Sequence, residues 1–211
     1  MQGLLWAVAA LYGLVALTNI FVWASFEDYD SRGGNNRLNA WADAEEIDGA
    51  VWDLAVLVWI ATFILLIIWW NQAYKAARRF PGQFVSWSSG WAVGGWFIPL
   101  ANLVIPRLVM NEIERLSAQP QPHETPGDER AWRSRPLMGL GMTFWFAMIG
   151  ALIMAWIAGA VYRPGFDTDG LRLSYFLSIA AAMSWVVAGI TGALFVRRLG
   201  ERLGPPRTPG Y

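Results

Sequence analysis

The chain has 211 residues, 55% of them hydrophobic and 15% charged, well under the roughly 25% charged of soluble domains. Sixteen basic residues balance sixteen acidic ones, so net charge gives no indication of a nucleic-acid partner. There is no cysteine, which excludes disulfides, thiolate metal sites and cysteine nucleophiles, and a single histidine, His123, which excludes bis-histidine haem and zincin-type zinc sites.

Leu4 to Phe26 carries no charge, and its twenty-three residues can cross a hydrocarbon core of about 30 Å at about 1.5 Å per residue. Only the α-amino group precedes it as a positive charge, so it is expected to be a retained span rather than a signal peptide. Asn19 is its one strongly polar residue, and Ala9 and Gly13 are spaced for close helix approach. Glu27 to Asp48 holds seven acids and two arginines and reads as a polar loop, with a turn at Ser31–Asn36 and a short surface helix over Trp41–Ile47. Asp48 is expected to cap the next helix.

Ala50 to Trp70 is the second expected span, with Trp52 and Trp69-Trp70 at its two interfaces. Asp53 lies about one turn inside it, and an ionisable residue within a span is a candidate functional group. The helix is expected to continue through Lys75, Arg78 and Arg79 until Pro81-Gly82 ends it.

Trp91 to Pro106, WAVGGWFIPLANLVIP, is different from the rest. It is apolar enough to enter a membrane but holds two prolines, a glycine pair and one asparagine. Pro99 and Pro106 lack N–H groups and should leave the carbonyls of Gly95 and Asn102 without their helical partners. Gly94 and Gly95 add backbone freedom. Bare backbone groups are not tolerated facing lipid, so the break should face protein or water. Trp96 is expected at headgroup level and Asn102 is the side chain best placed to satisfy the broken backbone. Arg107 to Ser117 then reads as a surface helix, and Ala118 to Arg133, with His123 inside it, as a flexible polar loop.

Leu137 to Val161 and Leu173 to Val196 are the third and fourth expected spans. Ala151, Ala155 and Gly159 on one, and Ser184, Ala188 and Gly192 on the other, form small-residue stripes along which the two are expected to pack. The tail from Pro205 to Tyr211 reads as disordered.

If residues 91–110 do not cross, four spans place Lys75, Arg78, Arg79, Arg107, Arg115, Arg130, Arg133, Arg135, Arg197, Arg198, Arg202 and Arg207 on one side. Arg32, Arg37, Arg163 and Arg172 fall on the other. The positive-inside rule then puts both termini in the cytoplasm and makes 91–110 a re-entrant or interfacial element there. The expected fold is thus an all-α integral membrane protein: one four-span domain over residues 1–204, with a Pro/Gly-broken segment.

WWNQAYKAARR over residues 69–79, then the Trp91–Pro106 run, then Met110-Asn-Glu-Ile, resembles the bacterial membrane family known as domain of unknown function 4328. In that family a basic stretch after a span leads into a similar tryptophan- and proline-containing motif and then a helix with an acidic residue. Members often carry an asparagine in the basic stretch, where this chain has Arg78-Arg79-Phe80, and an aromatic after the second proline, where it has Arg107. The resemblance implies a bacterial cytoplasmic membrane location and an architecture, and no established activity.

The function expected first is a non-enzymatic interaction or scaffold subunit that binds another membrane protein or itself. The alternative is binding of lipid or an amphipathic small molecule at the cytoplasmic interface. There Lys75, Arg78, Arg79 and Arg107 would meet anionic headgroups, each basic residue worth about 1 kcal/mol, and an opening lined by Trp96 and Arg107 would admit the ligand. Broken helices also line transporter sites, so transport or conduction as an oligomer is a second alternative. No GxSxG, HExxH, P-loop or dinucleotide motif is present, so neither an enzyme nor a cofactor is expected. Ser86–Gly90 superficially resembles a nucleophile turn but lacks a histidine partner.

Overall fold

Gly33 and Gly34 make the first reversal. Their φ angles are +62° and +99°, a region that residues with a Cβ rarely adopt, so two residues suffice to turn the chain. On either side the helices run on: α1 spans Gln2–Arg32 and α2 spans Asn35–Ala77. The computed structural model describes residues 1–79, 84–98, 100–118, 128–162 and 168–204. Pro81, Gly82, Pro99, His123, Arg163, Arg207 and the 205–211 tail lie outside these. The remaining helices are α3 (Trp91–Gly94), α4 (Ile105–Ser117), α5 (Glu129–Ser134), α6 (Gly139–Val161) and α7 (Thr168–Leu203), with a short 3-10 turn at Ala101–Leu103. No strand occurs among the described residues. Helices α1, α2, α6 and α7 are long and apolar enough to span a membrane, as expected from their sequences.

Three expectations are corrected. The polar stretch 27–48 is not a loop, because both helices extend through it. Its charges pair across helices instead: Arg37 reaches Asp28 at 2.9 Å, and Arg172 reaches Glu27 and Asp30 at 2.7 Å each. The Trp41–Ile47 segment is part of α2, which puts Asp48 in mid-helix rather than at a cap. Helix α4 is not a surface helix. Val109, Met110, Ile113 and Leu116 recur at helical spacing and are all buried, as are Glu112 and Glu114.

The chain divides into two compact units. The second comprises residues 3–62 and 143–191. Within it Tyr12 stacks on Trp185 at 5.3 Å and meets Trp52 edge-on at 5.9 Å. Phe26, Ala44, Leu171 and Tyr175 form a further cluster, with Trp41 packed against it. A close backbone approach lies at Gly189 of α7, where a Cβ would lie 2.8 Å from both the Leu5 carbonyl oxygen and the Ala9 Cβ of α1. The tight small-residue seam therefore joins α1 to α7. Helices α6 and α7 touch where the Ser174 hydroxyl donates to the Ala158 carbonyl at 3.0 Å, while a Cβ at Gly159 would meet nothing within 4 Å.

The first unit comprises residues 1–2, 63–142 and 192–211. Its core is Trp70, Tyr74, Val109, Met110, Ile113, Leu116, Phe195 and Leu199, each at most 1% exposed. Buried α4 brings its two acids into this core, and both are used.

Candidate functional site

The broken segment closes part of its hydrogen bonding locally, and no bond to the Gly95 carbonyl occurs among the described residues. The N–H groups of Gly95, Trp96 and Phe97 donate to the carbonyls of Trp91, Val93 and Gly94, and those of Asn102, Leu103 and Val104 to Ile98, Leu100 and Ala101. Asn102 takes part through its backbone; its side chain hydrogen-bonds to no described residue. Gly95 has helical angles, φ −59° and ψ −21°, so its role is space rather than freedom: a Cβ there would come within 2.6 Å of Ile105 Cγ2. Gly94 has open space around it. The left-handed residue is Leu100, φ 64°, which no glycine anticipates. Pro106 is the second residue of α4, inside the first turn, so it forfeits no intrahelical bond and the Asn102 carbonyl is not orphaned by it. Trp96 is buried edge-on against Phe63 (5.2 Å) and Trp70 (6.1 Å) of α2. Around it the apolar side chains point outward, Phe97 at 70% and Leu100 at 80% exposed, with Leu103 and Val104 also exposed.

Glu112 staples the chain that leads into this segment. Its carboxylate accepts from the Tyr74 hydroxyl at 2.7 Å, the Ser86 N–H at 2.9 Å and, more loosely, the Trp87 N–H at 3.4 Å. One side chain thus ties α2 and the 84–90 segment to α4. Replacing it by Gln keeps the shape but puts an amide where a charge met three donors. Hydrogen bonds to charged groups are worth about 1.5–3 kcal/mol. Glu112→Gln is therefore expected to lose about 2 kcal/mol and to open the 84–90 amides first, read by hydrogen exchange of Ser86 and Trp87. Unchanged protection there would remove the staple from the account.

Glu114, fully buried, faces the other way. It accepts from the Met138 N–H at the entry to α6 and lies 3.5 Å from the Arg107 guanidinium, whose side chain is 13% exposed. Gly141 makes room: a Cβ there would stand 2.6 Å from Glu114 Oε1 and 3.0 Å from Arg107 Nη1. Burial pushes the Glu114 carboxyl above its ordinary range, with the Met138 N–H and Arg107 pulling it back. Burial also lowers Arg107, against the attraction of Glu114. Arg107 is thus turned inward onto a carboxylate, and Trp96 is covered, so the residues expected to frame a ligand opening are both occupied in packing.

The cavity lies on the far face of α4. It measures about 350 Å³ and is lined by Ser86, Trp87, Leu108, Asn111, Glu112 and Arg115, closed by Trp132 and Arg133 of α5. Asp128 positions α5 by accepting from the N–H groups of Arg130 (2.9 Å) and Ala131 (3.1 Å). The end of the expected flexible loop is therefore an ordered capped helix, and it buries Trp132 to 3% exposure. Phe84 packs on Trp132 at 6.1 Å, and the Arg115 guanidinium sits 5.8 Å from the Trp132 ring centroid. Three buried polar atoms around this cavity, Asn111 Oδ1, Arg115 Nε and Trp132 Nε1, have no hydrogen-bond partner among the described residues.

Lys75, Arg78 and Arg79 are exposed at the end of α2, Arg78 resting 5.9 Å over the Tyr74 ring. Asp53 belongs to the second unit, where it lines a separate cavity of about 400 Å³. The acids there are largely engaged: Asp48 accepts from Thr18 and Asn19 of α1, and Glu45 from Tyr175 (2.6 Å) and Tyr162 (3.1 Å). No set of three or more metal-ligating side chains is found among the described residues.

The sequence reading placed Asn111, Arg115 and Trp132 in no site. The available signal was Trp132, a tryptophan amid an otherwise polar and proline-rich stretch, which is the pattern of a residue with something to pack on. No curated protein and no solved structure matches the chain. The family model described as Domain of unknown function (DUF4328) matches residues 32–201, which include every residue of both cavities except Asn19 and Val22 of the second, and the chain belongs to that family.

Proposed function

We propose that the protein is a non-enzymatic, membrane-embedded binding protein that takes an amphiphile in the cavity formed by the 84–90 segment, α4 and α5. One observation carries this reading: three residues that line one cavity, Asn111, Arg115 and Trp132, each hold a buried polar atom with no partner among the described residues, beside the apolar Trp87 and Leu108 and the polar Ser86, Glu112 and Arg133. A buried polar atom left unpaired costs about 1–3 kcal/mol, so a site holding three is suited to a ligand that supplies the missing bonds. Leu108, 41% exposed, continues the apolar wall outward to Val104, one helical turn earlier and 54% exposed. A polar head enters the cavity and an apolar chain follows that stripe.

Membrane placement supports the reading. Trp96 packs on both Phe63 and Trp70, which stand about 10 Å apart along α2 at 1.5 Å per residue. Phe63 lies well inside the apolar stretch of that helix. In this reading the segment around Trp96 dips into the hydrocarbon layer beside α2 without crossing, and the exposed Phe97, Leu100, Leu103 and Val104 meet acyl chains. On the same reading this end and both termini lie on the cytoplasmic side of a bacterial cytoplasmic membrane, which the distribution of Lys and Arg supports.

An interaction or scaffold role with another membrane protein or a second copy is favoured by one feature, the open notch at Gly159 beside Trp156, which is 75% exposed on a spanning helix. Native mass spectrometry after gentle extraction separates the two. A retained amphiphile, lost in Val104→Asn/Leu108→Asn with the fold intact by circular dichroism, is the expected result. A retained protein or a defined homo-oligomer without amphiphile would move the function to the helix faces.

A further inference from the structure

Resting on the amphiphile reading, we infer that the head this cavity accepts is anionic, a phosphate-bearing group bound by Arg115, Trp132 and Asn111. The atoms left without partners are mainly donors. Arg115 Nε and Trp132 Nε1 can only donate, and the Asn111 amide presents its oxygen or, turned over, its nitrogen. Trp132 is 3% exposed and its N–H has no access to bulk water and no partner among the described residues. Arg133 adds a second guanidinium, held on its outer side by Glu129 at 2.5–2.8 Å. That pair is exposed and therefore weak, and it leaves Arg133 free to exchange partners.

The one acid in the wall does not oppose an anion. Glu112 points its carboxylate at the Ser86 and Trp87 N–H groups and at the Tyr74 hydroxyl, whose single proton is shared with the Trp87 carbonyl, and these donors offset its charge. Arg115 is also pre-oriented: its guanidinium stands over the Trp132 ring, and its own carbonyl accepts from Arg135 at 2.8 Å. A cation or a neutral amine would find donors facing it. A phosphate supplies several acceptor oxygens at once and forms charge-assisted bonds with a guanidinium fork. A cavity of about 350 Å³ has room for a headgroup, and the chain leaves past Leu108.

The shared chemistry is a phosphate, and it can come from a membrane lipid or from a soluble anion. The test is lipid titration of the full chain by native mass spectrometry, with phosphatidylglycerol against the phosphate-free diacylglycerol of the same acyl chains, and with inorganic phosphate as competitor. Phosphatidylglycerol is expected to bind roughly tenfold more tightly. The preference should disappear in Arg115→Gln and fall in Trp132→Phe, which keeps the ring and removes the N–H. Arg115→Lys should recover part of it, and Arg198→Gln, at an exposed arginine outside the cavity, should leave it unchanged. Melting temperature of each variant separates loss of binding from loss of fold. Equal binding of the two lipids that is still lost in Val104→Asn/Leu108→Asn would overturn the anionic head and leave the amphiphile reading standing. Displacement by millimolar phosphate would keep the anion site and overturn the amphiphile. A preference that survives in both Arg115→Gln and Trp132→Phe would overturn the assignment to this cavity.

Discussion

Glu114→Ala is expected to lose about 3–5 kcal/mol of unfolding free energy, the range for a buried pair that loses one partner. The reason is what remains. Arg107, 13% exposed, keeps its charge with no counter-charge near it, and the Met138 N–H at the entry to α6 loses its acceptor. Reversible unfolding in mixed micelles, followed by far-ultraviolet circular dichroism, measures the loss. The double replacement Arg107→Leu/Glu114→Leu should cost much less than the single alanine, because apolar residues of similar volume suit the site and no charge is left behind. A single-mutant loss below about 1 kcal/mol would show that water reaches the pair.

The same residue gives a pH dependence with a definite sign. Burial raises the Glu114 carboxyl above its ordinary range of about 4.3. In the window between that value and the raised one, the unfolded chain has released its proton and the folded chain still holds it. Stability contributed by Glu114 is therefore full below the ordinary range and falls as pH rises through the folded value. Glu114→Gln should flatten this part of the stability profile; an unaltered slope would assign it to other carboxylates.

Gly189→Leu is expected to cost about 3 kcal/mol, at the upper end for inserting carbons into a packed interface. The atoms a Cβ would meet include the Leu5 carbonyl oxygen at 2.8 Å and the Ala9 N at 2.9 Å, both backbone. A side chain can rotate away and a helix backbone cannot, so α1 and α7 must separate. Gly159→Leu is the matched control, since nothing lies within 4 Å of a Cβ there, and it should stay within about 0.5 kcal/mol of wild type. Thermal melts in micelles compare the two. Equal losses would mean that the α1–α7 seam is looser than its distances.

Much of this fold was legible in the chain. Twenty or so uncharged residues in a row have few destinations besides a bilayer, so the four long helices follow from composition. The Gly33-Gly34 turn follows from the conformations only glycine adopts readily. What misled was local polarity. Residues 27–48 read as loop because charge density usually marks solvent, yet a helix protruding from a membrane can carry that charge on its surface and pair it, as Arg172 does with Glu27 and Asp30. Small-residue stripes were equally ambiguous, because alanine and glycine recur on every apolar helix; which stripe closes depends on which helices meet.

The candidate site shows the same division. Sequence marked Trp91–Pro106 as the irregular element, because two prolines and a glycine pair cannot continue a helix. It also pointed to Arg107 and Asn102, by their position at the break. Tertiary structure turned Arg107 inward onto Glu114 and closed part of the broken backbone locally, and it drew Asn111, Arg115 and Trp132, up to 21 positions apart, onto one cavity. The sequence by itself determined where this chain can lie, since the partition of apolar segments into lipid is a sum over neighbouring residues. Which buried polar atoms find partners and which are left waiting is a matter of three-dimensional geometry between distant residues, and only the folded structure decided it.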